Sequence, residues 1–309
     1  MSGSTGTAEG DAAAFDGARR PDRRSEVTSD GIRLAVSEWG DPDAPPLVLA
    51  HGGFDFAGTF DVFAPLLAAG GWRVVTWDQR GHGDSDRAHL YSWQADLRDG
   101  AAVVNSLPEG PMPFVGHSKG GNLVMQLAVA MPHRTSALIN IDGLPSYGAM
   151  SDVSEHERAK WMRRELDEWL THRRSLVGKQ RRPGTIDELA DRRGKMNPRL
   201  TPEWLRYLVI VGASESEDGW RWKIDPTMRM GGFGPWRPEW SLLHLPAIAV
   251  PVLGILGKEP EVMGWGTTEV DLEPYLPSNG RIVSVDGAGH FVHIERPQEV
   301  SEMALEFLS

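Results

Sequence analysis

The stretch FVGHSKGGN, residues 114–122, decides how this chain is read. Ser118 stands between Gly116 and Gly120, directly after the apolar run PFVG (113–116), which has the character of a buried strand. GNLVMQLAVAMP (121–132) follows with helical spacing and is stopped by Pro132. A strand, Gly-x-Ser-x-Gly and a helix in that order make a sharp turn that lifts a serine hydroxyl above the carboxyl end of the strand. The serine must accept a strained backbone, which costs roughly 1–3 kcal/mol. Its neighbours must be small, because the turn brings strand and helix close together. Gly116 and Gly120 meet that need, and Gly121 adds room. The helix opening near Lys119 aims its first N–H groups at the same spot, which favours a developing negative charge.

A serine hydroxyl becomes a nucleophile only with a base, a group that orients the base, and donors for the oxyanion. The candidate base is His290, in DGAGHFVHIERP (286–297), on the loop after the strand RIVSV (281–285). His293 lies three residues on and is expected to pack or to cap; no third ligand cluster accompanies the His-x-x-His pair, so no metal is expected. The candidate oxyanion donors come from HGGF (51–54), directly after the strand PLVLA (46–50). Gly53 N–H and Lys119 N–H form the expected pair, with Phe54 N–H as the substitute if the turn is shifted by one. Only the main chain of Lys119 is needed for this, and its side chain reads as incidental. His51 reads as a brace for the loop.

Working outward, short apolar strands alternate with amphipathic helices. Strands are expected at 32–39, 46–50, 72–78, 113–116, 136–142, 251–256 and 281–285, and helices at 60–70, 92–107, 121–132 and 297–308. That alternation predicts an α/β fold with a mostly parallel sheet covered on both faces. Residues 145–245 break the rhythm. They are rich in charge and hold Trp161, Trp169, Trp204, Trp220, Trp222, Trp236 and Trp240, seven of twelve tryptophans. They read as a mostly helical insertion, with GGFG (231–234) as irregular loop. The tryptophans fit either ordinary helix packing or the lining of an apolar pocket under a lid.

HGG after one strand, DQRGHGDS (78–85) after the next, GHSKGG (116–121) and GAGHF (287–291) resemble the α/β-hydrolase superfamily in order and spacing. The resemblance covers about residues 26–144 and 246–309. It implies an eight-stranded-type sheet with helices on both faces. It also implies a core domain at 25–144 and 246–309, and a helical cap (lid) insertion at 145–245. RGHGDS (80–85) is expected to hold its loop. In this family an Asp, sometimes a Glu, follows the strand after the cap, where this chain has GILGKEPEVMGWG (254–266). Glu259 is the position that aligns, Glu261 is a near neighbour, and Asp142 is the alternative acid from the end of the earlier strand. The family activity implied is cleavage of an acyl bond, in an ester or lactone, through an acyl-enzyme on Ser118. A carbon–carbon (meta-cleavage-type) hydrolase or a perhydrolase would use the same three side chains, and a small-molecule receptor could be built on the same scaffold. Serine at the nucleophile position speaks against epoxide hydrolases and haloalkane dehalogenases, whose likeness would require Asp there.

Bulk properties narrow the partners. The chain has 309 residues, 40% of them hydrophobic, with a formal net charge of −11. An acidic balance disfavours nucleic acid and anionic membranes, which need basic patches. Without cysteine there is no thiolate chemistry and no disulfide. Neither a phosphate-cradling loop nor a dinucleotide fingerprint is present, so no cofactor is expected. Residues 1–24 are small, polar and Gly-rich and read as a disordered tail. They lack an apolar stretch of signal-peptide length, and the longest apolar run, PAIAVPVLGIL (246–256), is too short to span a bilayer. A cytoplasmic protein acting on a small apolar or aromatic molecule is the expectation.

Overall fold

A computed structural model describes residues 15–145, 155–176, 178–228 and 242–309. Eight strands form one sheet in the order β1-β2-β4-β3-β5-β6-β9-β10. They are β1 Arg23–Ser29, β2 Ile32–Trp39, β3 Pro46–Ala50, β4 Arg73–Trp77, β5 Met112–His117, β6 Thr135–Ile141, β9 Val252–Gly257 and β10 Gly280–Val285. β1 pairs antiparallel with β2, and β2 with β4; the remaining neighbours run parallel. Parallel neighbours need crossovers, and helices supply them. α1 (Phe63–Ala69), α2 (Trp93–Asn105) and α3 (Lys119–Ala130) lie between successive strands, and Pro297–Leu308 closes the chain.

Period two along each strand divides the core. Val48, Val75, Phe114 and Leu138 pack on one face with Val103, Leu123 and Leu127 of α2 and α3. Leu47, Leu49, Val74, Val115 and Ile139 pack on the other with Phe63 and Leu67 of α1 and with Val300 and Ala304 of the last helix. Both faces are dry, which is why these strands read as continuous apolar runs rather than as alternation.

Between β6 and β9 the chain leaves the sheet. It forms α4 (Glu155–Leu176), α5 (Ile186–Gly194), α6 (Pro202–Gly212) and the hairpin β7 (Ala213–Ser216)–β8 (Gly219–Trp222). α5 starts where Thr185 accepts from Glu188 N–H and the Glu188 carboxylate accepts from Thr185 N–H. α6 starts at the Thr201 cap with Pro202 behind it. Leu189, Trp204, Leu205 and Leu208 of these two helices bury themselves with Phe56 and Phe291, so the excursion is seated over the loops that follow β3 and β10. Trp204 is core, whereas Trp222 borders a cavity; Trp236, Trp240 and GGFG (231–234) lie outside the described residues.

One expectation about the N-terminus needs correction. Residues 15–24 do not form a tail. Phe15 meets the Trp204 ring edge-on at 4.8 Å, Trp39 Nε1 donates to the Arg19 carbonyl at 2.8 Å, and Arg20 pairs with buried Asp61 at 3.1 Å. β1 then begins at Arg23; residues 1–14 lie outside the described residues. Among the described residues no helix is long and apolar enough to cross a membrane.

Candidate active site

The turn after β5 has the geometry that its glycines require. Ser118 sits at φ 53°, ψ −120°, between the last residue of β5 and the first of α3. A Cβ on Gly116 would overlap the Gly120 carbonyl, and one on Gly120 would overlap the Ala50 carbonyl of β3. Ser118 N–H donates to the Ile141 carbonyl at 2.9 Å, which ties the turn to the end of β6.

Above the carboxyl edge of the sheet three side chains form a relay. Ser118 Oγ lies 3.0 Å from His290 Nε2. His290 Nδ1 lies 2.6 Å from Asp142 Oδ2. With Nδ1–H donating to the carboxylate, Nε2 is the acceptor facing the hydroxyl. The His290 main chain is fixed as well: its N–H donates to Glu261 Oε2 at 2.7 Å, and its carbonyl accepts from His117 Nε2–H at 2.9 Å. Burial raises the Glu261 carboxyl above its ordinary pKa, against the bond from His290 N–H that favours the charged form.

The acid expected from the alignment is corrected. Glu259 donates its main-chain N–H to Ala288 O at 2.9 Å, and among the described residues no hydrogen bond joins it to His290. The cause is sheet order. β6 and β9 are neighbours, with Ile141 opposite Ile255, so both strand ends reach the same edge. Asp142 follows directly on β6, at φ 45°. Its N–H donates to Ile255 O at 2.7 Å, and its Oδ1 accepts from Gly257 N–H at 3.2 Å. That grip turns Oδ2 towards His290. Of the two glutamates, only Glu261 touches His290, through the main chain.

The expected oxyanion donors lie beside Ser118. Lys119 opens α3, and the Cβ direction of Gly53 points at the Lys119 side chain, 3.8 Å from its Cδ. Among the described residues Gly53 N–H is paired with no acceptor. Phe54, the substitute, donates its N–H to His82 Nε2 at 3.2 Å and so is already engaged. The Lys119 side chain is not incidental. It is buried, with Nζ 2.7 Å from Gln79 Oε1 and 2.8 Å from Asp96 Oδ2. Sequence gave no sign of this, since both partners come from other elements. His51 donates Nδ1–H to Gly52 O at 2.7 Å and accepts Gln79 N–H at 2.9 Å. In RGHGDS, Arg80 clasps Asp99 through two bonds of 2.6 and 2.7 Å.

His293 does not join His290. Its ring is buried among Phe60, Phe63 and His117, and neither nitrogen finds a hydrogen-bond partner among the described residues. Among those residues no group of three His, Cys, Asp or Glu is placed to hold a metal. Burial pushes the His293 pKa down to about 3. The unfolded chain, titrating near 6.5, therefore takes up this proton first as pH falls. The stabilisation is whole above about 6.5 and drains away towards about 3. Replacing His293 with Phe is expected to remove about 2 kcal/mol of the stability lost between pH 7.5 and pH 5, read by urea unfolding at both values. An unchanged difference between the two pH values would show that His293 is not held neutral.

A cavity of about 330 Å³ opens beside Ser118 and His290. Phe54, Trp222, Ile224, Met263 and Phe291 supply apolar wall, and Arg181, Arg192 and Arg193 also border it.

The wider likeness agrees with this architecture. Epoxide hydrolase A of Mycobacterium tuberculosis is 28% identical over 92% of this chain and 96% of its own length. The sn-1-specific diacylglycerol lipase ABHD11 of Mus musculus is 27% identical over 87% of this chain and 83% of its own. The solved thioesterase domain from the curacin biosynthetic pathway superposes with a TM-score of 0.77 at 24% identity, covering 92% of this chain and 99% of that one, which is a likeness of fold. A profile described as the alpha/beta hydrolase family matches residues 47–303, and with the sheet order and strand–turn–helix geometry above, the chain belongs to that family.

Proposed function

We propose that this chain is a serine hydrolase that cleaves the acyl bond of a small carboxylic ester or lactone through an acyl-enzyme on Ser118. The observation that carries the reading is the unbroken relay from Ser118 Oγ through His290 to Asp142, at 3.0 and 2.6 Å. Ser118 Oγ attacks the carbonyl carbon while its proton passes to His290 Nε2. The oxyanion faces the N–H groups of Gly53 and Lys119; one such donor is worth about 10²–10³ in turnover. As the tetrahedral species collapses, the bond to the leaving oxygen breaks and His290 returns the proton to it. Water then attacks the acyl-enzyme, gives a proton to His290, and the acid leaves as Ser118 regains it. Asp142 holds the tautomer throughout and stabilises the imidazolium.

The cavity supports a small to medium acyl group with an apolar body, under residues 145–245 acting as a cap. An epoxide suits this nucleophile badly. Opening one with a serine oxygen leaves an ether, which offers water no carbonyl to attack. An ester or lactone regenerates Ser118 in two symmetrical halves.

A fluorophosphonate probe and p-nitrophenyl acetate test the proposal together. Stoichiometric labelling of Ser118 with a burst of p-nitrophenolate and continuing turnover is the expected result. Labelling without turnover on a broad ester panel would replace hydrolysis with the receptor reading, and absence of labelling would end both.

A further inference from the structure

The chain carries a net charge of −11, yet the cavity beside Ser118 is bordered by three arginines and by a single carboxylate, Asp55. Two of the three arginines have acidic company. Arg193 forms an ion pair with Asp55 and donates to the Phe54 carbonyl, and Arg192 faces Glu188 at 3.9 Å. Arg181 makes no ion pair among the described residues. Its Nε donates to the Ile224 carbonyl at 3.2 Å and its Nη2 to the Asp225 carbonyl at 2.9 Å. The Asp225 carboxylate is engaged elsewhere, by the Tyr91 hydroxyl at 2.6 Å and by Thr227. Main-chain carbonyls thus fix one edge of the guanidinium, and Nη1 donates to no acceptor among the described residues. Burial holds the Arg181 pKa below the ordinary arginine value. Arg181 is half-buried and has no ion-pair partner among the described residues, the Asp225 carboxylate acting on it only through space, and a planar guanidinium fixed on one side is ready to bind a carboxylate with the other.

We infer that the substrate carries a free carboxylate remote from its scissile carbonyl, and that Arg181 binds that carboxylate while the apolar wall holds the chain between. This rests on Ser118 as the nucleophile. A single unpaired guanidinium balances one charge, which favours a carboxylate over a phosphate monoester carrying nearly two. Arg181 is then a specificity residue that selects half-esters of dicarboxylic acids, or lactones and esters bearing an acid tail, over neutral acyl groups.

The test compares p-nitrophenyl half-esters of succinate, glutarate and adipate with neutral isosteres in which an isopropyl group replaces the carboxylate. At the preferred length the native enzyme is expected to favour the acid by at least about tenfold in kcat/KM, the range of a charge-assisted bond. Arg181→Met should collapse that ratio towards one, and Arg181→Lys should restore part of it. Should Arg181→Met fail to fold, Arg181→Gln keeps donors for the Ile224 and Asp225 carbonyls while removing the charge. A second readout needs no turnover: glutarate is titrated calorimetrically into Ser118→Ala protein with and without the Arg181 change. Binding that weakens about tenfold with the change, and weakens with added salt, supports the inference even if no ester is cleaved. A ratio near one in the native enzyme at every length, or a ratio and an affinity that Arg181→Met leaves unmoved, overturns it while Ser118 labelling still stands.

Discussion

Ser118→Ala is expected to lower kcat on p-nitrophenyl esters by about 10⁶, with His290→Ala costing about as much and the double variant no more than either. The expectation follows from the proposed acyl-enzyme route, in which the two side chains act as a unit. Without Oγ there is no covalent intermediate for His290 to serve. Without Nε2 the hydroxyl keeps its proton and is a poor nucleophile. What survives in each variant is substrate binding and the N–H donors at Gly53 and Lys119, acting on unassisted water. The measurement is a double-mutant cycle on kcat, with each variant's melting temperature as the control for folding. Alanine at position 118 inherits the same φ of 53°, so the turn keeps its strain and the variant differs from the native chain in the hydroxyl alone. Additive losses would mean that Ser118 and His290 work on separate steps, and the acyl-enzyme route would fall.

How much of this was readable from residues alone depends on where each signal is encoded. The strands β3, β5, β6 and β9 were legible because both sheet faces are buried, so each is a short apolar run; β10, at the sheet edge and only partly buried, was legible through its Ile282, Val283 and Val285. The turn at Ser118 was legible because only glycine tolerates the approach of α3 to β3 and β5. β1 was not. RRSEVTS lies at the sheet edge with four of its residues exposed, so it carries no apolar pattern. Residues 15–22 were missed for the same reason: their one aromatic, Phe15, packs against Trp204 and Tyr207 from the insertion, 189 and more residues away in the chain, and the rest are held by polar contacts with Trp39 and Asp61. The Lys119 side chain was misjudged because Gln79 and Asp96 reach it from two other loops and helices. Such pairings are properties of the assembled sheet and have no local spacing in the sequence. The signal that could have favoured Asp142 was its position directly after a buried strand, where Glu259 stands two residues beyond the end of β9.

That choice of acid is the second large effect. Asp142→Asn is expected to lower kcat by about 10⁴ on the same esters, and Glu259→Gln to leave it within about threefold. An asparagine at 142 can keep the 2.6 Å contact with His290 Nδ1, yet its amide can donate as well as accept. When it donates, the imidazole proton moves to Nε2, and the ring then presents N–H to a Ser118 hydroxyl that needs an acceptor. Even in the right tautomer a neutral amide does little to stabilise the imidazolium formed during attack. Geometry is conserved while chemistry is lost, so Asp142→Asn should still be labelled by the fluorophosphonate, only far more slowly, and should still bind substrate with little change in KM. Glu259 lacks a hydrogen bond to His290 among the described residues, so its amide alters neither tautomer nor charge at the ring. Glu261→Gln falls between the two, because an amide oxygen can still accept His290 N–H at the loop. If Glu259→Gln instead loses a thousandfold and Asp142→Asn does not, the orienting carboxylate comes from the end of β9, and the loop carrying it must swing towards the ring during turnover.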